Sequence, residues 1–252
     1  MSTRVAAVVP AKDEAQRLAA TLVAFGDLRE VDLVVVVDDG STDDTSAIAA
    51  AEGAVVVRHP SNRGKAAAMT SGAAEVARLD GLQQDGPDGP AEPRALLFVD
   101  ADLQESAANL GPLCAPVLEG RADMTIAVLP PQLRRGGGFG LVVRMATTGI
   151  QRLTGWTPTQ PLSGMRCLSR AAFDGALPLA GGWGVEVGLT VDVLRGGGRV
   201  LEVPCELHHR VTGRDLRSQV HRARQYRDAW WALARRGAWR PSRAGGPDGA
   251  GG

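Results

Sequence analysis

The feature that most limits the fold is a series of short, nearly uninterrupted apolar runs. They lie at residues 5–9, 31–37, 54–57, 95–99 and 124–129, and stretches with helical spacing separate them. Strands that are apolar on both sides must be covered on both sides. Their alternation with helices predicts an α/β fold built on a mainly parallel, doubly wound sheet with helices on both faces. Between the runs, residues 14–25 place Leu18, Leu22 and Phe25 on one helical face, and residues 43–51 follow Ser41-Thr42-Asp43-Asp44, a cluster of helix-capping residues. Residues 64–79 form a third expected helix. The Gly-, Pro- and Asp-rich segment 81–93 has no periodicity and reads as a solvated loop.

The second half is less regular. Helices are expected near 139–153 and 184–194, a turn at 158–161, and a last strand at 199–203. From Leu216 the positions Val220, Ala223, Tyr226, Trp230 and Leu233 recur at helical spacing, which predicts a long amphipathic helix. A Gly/Pro-rich tail, 237–252, reads as disordered. With 252 residues, 44% of them hydrophobic, the chain can bury one sizeable core, and a single domain over 1–236 is expected.

Charge and cysteine content narrow the function classes. Twenty-eight basic residues balance 28 acidic ones, so no global field favours nucleic acid. Cys114, Cys167 and Cys205 lie far apart without a CxxC pair, which suggests neither a disulfide framework nor a zinc site and fits a reducing cytoplasm. The first apolar run is too short for a signal peptide or a membrane span, so a cytoplasmic protein, soluble or peripheral at the membrane, is expected.

Chemistry concentrates where strands end. The run 95–99 leads straight into Asp100-Ala101-Asp102, and in open α/β sheets ligands gather at the carboxyl ends of strands. Two carboxylates there would be costly unless a cation or a donor network neutralised them, and hard oxygen ligands suit Mg²⁺ or Mn²⁺, which in turn bind a diphosphate. Two further strand ends carry polar residues: Pro10-Ala11-Lys12-Asp13-Glu14 and Asp38-Asp39-Gly40-Ser41. Carboxylates at such places can accept from ribose hydroxyls and from a uracil imide. Gly64-Lys65 is not a Walker loop, because position 59 is His and Ala follows the lysine.

The strings VVPAKDEAQRL, VVVVDDGSTDDT, SNRGKAAAM and FVDADL, in this order, resemble the nucleotide-binding half of GT-A fold glycosyltransferases of the family-2 type over residues 4 to about 130. The remainder, about 131–236, would then hold the acceptor. The resemblance implies a uridine site of Pro10, Ala11, Glu14 and Asp39, with Lys65 near the diphosphate and Asp100, Ala101 and Asp102 around ribose and metal. No Glu-Asp dipeptide of the inverting members is present. Instead, PLSGMR, GWGVEVGL and PCELHHR resemble the glucosyl-3-phosphoglycerate synthase type, which is retaining and uses UDP-glucose. That likeness implies Trp183 and Glu186 facing the transferred sugar, His209 (or His208) joining Asp102 on the metal, and Ser163, Gly164 and Arg210 on the acceptor side. Lys65, Asp102 and Glu186 are the expected catalytic residues. Where the synthase type has an arginine for the acceptor's anion, this chain has Thr159-Gln160-Pro161.

The expected function is transfer of a hexose, glucose by resemblance, from a UDP-sugar to a small, anionic acceptor, with retention. A second reading is a polyprenyl-phosphate glycosyltransferase of the dolichyl-phosphate-mannose-synthase type. Nine arginines against Asp215 and Asp228 between 210 and 240, with Trp230, Trp231 and Trp239, could place the last helix on an anionic membrane and present a lipid phosphate. The bland alternative is a helix that buries its stripe on the body. A homodimer through the second half is also considered. A non-catalytic nucleotide-sugar-binding protein would not need Asp100, Asp102, Glu186 and His209 together. A sugar nucleotidyltransferase would show a Gly-rich, Arg-containing loop after the first strand, and a Rossmann dehydrogenase a GxGxxG. Neither is present.

Overall fold

A computed structural model of the chain describes residues 4–84, 92–130, 140–207 and 216–239. Seven strands form one sheet: β1 (Val5–Ala11), β2 (Val31–Asp38), β3 (Val55–Arg58), β4 (Ala95–Phe98), β5 (Met124–Val128), β6 (Arg166–Leu168) and β7 (Val200–Pro204). Their order is β3-β2-β1-β4-β6-β5-β7. All neighbours are parallel except β6, which runs antiparallel to both β4 and β5.

The double covering follows from the pleat. In β1, Val5, Ala7 and Val9 enter one core and Ala6 and Val8 the other; in β4, Leu97 and Val99 are opposed to Leu96 and Phe98. Alternate side chains leave a strand on opposite faces, so a run apolar throughout needs a cover on each. α1 (Leu18–Ala24) and α4 (Gly111–Leu118) supply one cover, and α3 (Lys65–Gln84), α6 (Arg170–Gly175) and α7 (Val185–Arg195) the other.

The predicted strands are all present, but helix starts differ. α1 begins at Leu18 rather than 14, and the N–H groups ahead of it bond to the loop after β2. Asp13 donates to Ser41 Oγ (2.9 Å), Glu14 to Thr45 Oγ1 (3.0 Å) and Ala15 to Asp43 Oδ2 (3.1 Å). The supposed capping cluster before α2 (Thr45–Ala51) is therefore used largely to stitch the loops after β1 and β2 together. α3 runs on to Gln84, so the first residues of the expected 81–93 loop are helical, and 85–91 lie outside the described residues. Three elements were not anticipated: β6, α4 and α6 are too short to show a period.

α5 (Leu141–Thr154) and α8 (Leu216–Arg235) close the second half with α7. Ala229 and Leu233 of α8 pack with Ala146 and Ile150 of α5 and Val187 and Val191 of α7. A β-carbon on Gly149 would overlap the Leu233 side chain, so glycine there lets Leu233 lie close against α5. Burial of Leu233 contributes about 2 kcal/mol to holding α8 on the body. Tyr226, predicted on the buried stripe, is instead 41% exposed. No helix among the described residues is long and apolar enough to cross a membrane.

Candidate active site

The carboxyl ends of β1, β2 and β4 meet the start of α3 around a cleft of about 350 Å³. Of the residues expected at the donor, Pro10, Ala11, Asp39, Lys65, Asp100 and Trp183 line it. A groove between α3 and Leu177–Leu179 is larger, about 560 Å³, but Arg63 is the only charged residue in its lining. The smaller cleft is the one where carboxylates and ammonium groups converge.

Its centre is an ion triad. Lys65 Nζ stands 2.8 Å from Asp100 Oδ1 and 3.0 Å from Glu186 Oε1. Burial alone would lower the ammonium's pKa, but the two carboxylates outweigh it and the value is raised, so Lys65 stays charged throughout the physiological range. Glu186 occupies the first turn of α7, where an acid is also favoured by the helix N-terminus. Gly164 completes the arrangement. A β-carbon there would lie 2.6 Å from Lys65 Nζ and 2.8 Å from Asp100 Oδ2, so bare backbone must approach the pair at this point.

Asp39 has a second duty beyond lining the cleft. Its carboxylate accepts from His59 Nδ1 (2.7 Å) and from the N–H groups of Arg63 (2.8 Å) and Gly64 (2.7 Å). Burial pushes its pKa up, but these donors prevail and hold it below the ordinary carboxylate value. Of the roughly four acceptor directions of a carboxylate, three are spent on shaping the loop that delivers Lys65. Glu14 does not line the cleft; its carboxylate is held by Arg17 at 2.8–2.9 Å. Burial raises its pKa, Arg17 opposes that, and the nearby charges of Asp102 and Asp43 add to the rise.

The Asp100-Ala101-Asp102 turn is pinned from behind. Thr21, fully buried in α1, donates from Oγ1 to the Ala101 carbonyl (2.9 Å) and accepts from Gln104 N–H (2.8 Å). Asp102 is half-buried and electrostatically opposed to Glu14, a concentration of negative charge that a divalent cation would relieve. Among the described residues no group of three or more acids, histidines or cysteines could hold a metal. His208, His209 and Arg210 lie outside the described residues, so the expected metal partner of Asp102 does too. The oxygen ligand present is nevertheless of the kind Mg²⁺ or Mn²⁺ takes.

The wall opposite the nucleotide loops comes from the second half. Trp183, 38% exposed, donates its backbone N–H to Asp228 Oδ2 of α8 (3.3 Å). Gly182, at φ +61, has the same carboxylate where a β-carbon would be. Ser163 is buried, and its Oγ has no hydrogen-bond partner among the described residues. Gln160, at the position of the missing arginine, turns inward: its amide pairs with the backbone N–H and C=O of Leu129 (3.1 and 2.7 Å), and Glu202 receives its N–H (2.9 Å).

Sequence reading passed over Lys12, His59, Thr21, Asp228 and Arg166. One compositional signal was available for Lys12: the chain has only two lysines, Lys12 and Lys65, and both line this cleft. The others act through partners distant in sequence and carry no local signature.

The model of glycosyl transferase family 2 matches residues 6–175. Glucosyl-3-phosphoglycerate synthase from Mycobacterium tuberculosis, in its complex with phosphoglyceric acid, superposes with a TM-score of 0.72 and 27% identity, covering 93% of this chain and 80% of that one. The same enzyme with Mn²⁺, UDP-glucose and phosphoglyceric acid gives a TM-score of 0.69 and 26% identity, covering 93% and 79%. An uncharacterized protein of Methanocaldococcus jannaschii is 33% identical over 143 residues, 55% of this chain, and the match spans about half (54%) of that relative's length.

Proposed function

The chain belongs to glycosyl transferase family 2, and from that premise we propose that it moves glucose from UDP-glucose to a small anionic acceptor, with retention, in the presence of Mg²⁺ or Mn²⁺. The carrying observation is Lys65, held between Asp100 and Glu186 on the floor of the strand-end cleft. The similar synthase binds UDP-glucose, Mn²⁺ and phosphoglyceric acid together, which supports the donor, the metal and an acid acceptor.

In this reading Pro10, Ala11 and Asp39 border the uridine, Asp100 and Ala101 the ribose, and Trp183 and Glu186 the sugar. Asp102 and His209 would hold the divalent cation, which when bound supplies counter-charge for the departing diphosphate. Lys65, already charged and fixed, donates to a phosphate oxygen as negative charge builds on UDP. Glu186, paired to that lysine, would supply negative charge against the oxocarbenium character of the sugar. As the sugar–phosphate bond breaks, the acceptor hydroxyl attacks from the same face and its proton passes to the leaving phosphate oxygen, so no separate base is required. Ser163 Oγ, which has no hydrogen-bond partner among the described residues, and Gly164 face the acceptor, with Arg210 as the anion's counter-charge. Gln160 is occupied with Leu129 and takes no part, so the acceptor's anion is met differently from that of an enzyme with arginine there.

UDP release from UDP-glucose, measured with and without Mn²⁺ across phosphorylated and carboxylated acceptors, tests this. Metal-stimulated release supports it; tight UDP binding without turnover on any acceptor would mean a nucleotide-sugar-binding protein. A lipid-phosphate acceptor is the second reading, favoured by the exposure of Trp231 (52%) and Tyr226 (41%) on the basic helix α8. Turnover on a polyprenyl phosphate in liposomes, exceeding that on soluble acids, would select it.

A further inference from the structure

Arg166 heads the largest fully buried side chains among the described residues, 1% exposed, and the transfer chemistry above gives it no task. It is the first residue of β6, a strand between β4 and β5, and pairs with the apolar Phe98 and Ile126. The acceptors it meets are all neutral. Nε donates to the Ser163 carbonyl (2.8 Å), one terminal nitrogen to the Glu186 carbonyl and Thr190 Oγ1 (both 2.8 Å), and the other to the Pro161 carbonyl (3.2 Å). Burial draws its pKa down to about 10, against the opposing charges of Glu186, Glu202 and Asp100, so it remains a cation.

A buried cation is expensive, and an apolar side chain of like volume would fill the space more cheaply. What an apolar residue would not do is join two segments. The turn through Pro161 and Ser163 leads into Gly164, whose backbone touches Lys65 and Asp100; the first turn of α7 carries Glu186. A planar guanidinium with five donors can hold both at one fixed separation. We propose that Arg166 is a positioning residue of the cleft, setting where the Glu186 carboxylate and the Gly164 backbone meet Lys65. Its kinetic consequence rests on the transfer reading, but its effect on Lys65 can be read without turnover.

Because Lys12 and Lys65 are the only lysines, protein labelled at lysine ¹³Cε gives two side-chain signals, with Lys12 as an internal control. Glu186→Gln should move the Lys65 signal; Arg166→Met and Thr190→Val should move it in the same direction, and Arg166→Lys by less. Lys12 should stay in place. In UDP release, Arg166→Met should lower kcat about 10- to 100-fold with KM within about threefold. In a Glu186→Gln background it should add less than about twofold, since both changes remove one arrangement. A folded Arg166→Met protein with an unmoved Lys65 signal, or losses that multiply in the double variant, would overturn the assignment. If Arg166→Met does not fold, an unmoved Lys65 signal in Thr190→Val, which deletes a single acceptor, overturns it equally. Responsive lysine signals in a protein that releases no UDP would sink the transfer reading and leave the positioning role supported.

Discussion

From β3 through β2 and β1 to β4 every neighbour is parallel and each strand delivers its following loop to the same rim, whereas between β4 and β5 the sheet admits the three-residue antiparallel strand β6. The first region builds its part of the site from consecutive strand ends. There the loops brace one another directly, Asp39 on Gly64, Asp13 on Ser41, Asp43 on Ala15. The second region has no such repetition, and its pieces are gathered by individual polar side chains, the buried Arg166 on the 161–163 turn and α7, and the half-buried Gln160 on Leu129 and Asp228 on the Trp183 backbone. A regular sheet can place a ligand rim by geometry alone; an irregular one needs individual side chains to do it, and is correspondingly easier to disturb by one substitution.

Four experiments press on that contrast. Asp102→Ala should show the largest effect, a loss of metal-dependent UDP binding and transfer of about a thousandfold or more; near-normal metal-stimulated turnover would detach the first region's rim from the metal. Gly164→Ala, the second region's closest approach to the first, should cost about a hundredfold in kcat, because its β-carbon falls on the Lys65–Asp100 pair. An active variant with unchanged kinetics would mean that the two regions meet less tightly than 2.6–2.8 Å implies. His209→Ala should weaken Mn²⁺ about 10- to 100-fold, and His208→Ala much less; the opposite ranking in a metal titration would move the second region's contribution by one residue. The smallest change concerns α8. Deleting the helix would expose the core it shares with α5 and α7, so the membrane question is better put to Trp231→Ser, which leaves Ala229 and Leu233 packed. Flotation with anionic liposomes should fall a few-fold in this variant if the helix meets a membrane, while turnover on a soluble acceptor stays within about twofold.

Tyr226 and Trp230 illustrate how far periodicity reaches. Spacing places a helix from Leu216 correctly, yet which residues of its stripe become buried depends on how α8 lies against α5 and α7: Ala229 and Leu233 pack there, whereas Tyr226 stays exposed. The capping run Ser41 to Asp44 is a similar case, a local signal diverted by a neighbouring loop.

What the sequence determined by itself was the doubly covered parallel sheet and the position of Pro10, Asp39 and Asp100 on one rim, whereas Lys65 was expected there from the family resemblance. Apolar runs and strand-end turns are local, and parallel winding brings successive strand ends to the same side. Only the tertiary structure decided that Lys65 is shared between Asp100 and Glu186, that Asp39 is mostly spent on the loop that leads into Lys65, and that Arg166 lies buried among neutral acceptors. Each of those is a choice of partner across a long stretch of chain, made when burial leaves a polar group only one place to find its hydrogen bonds.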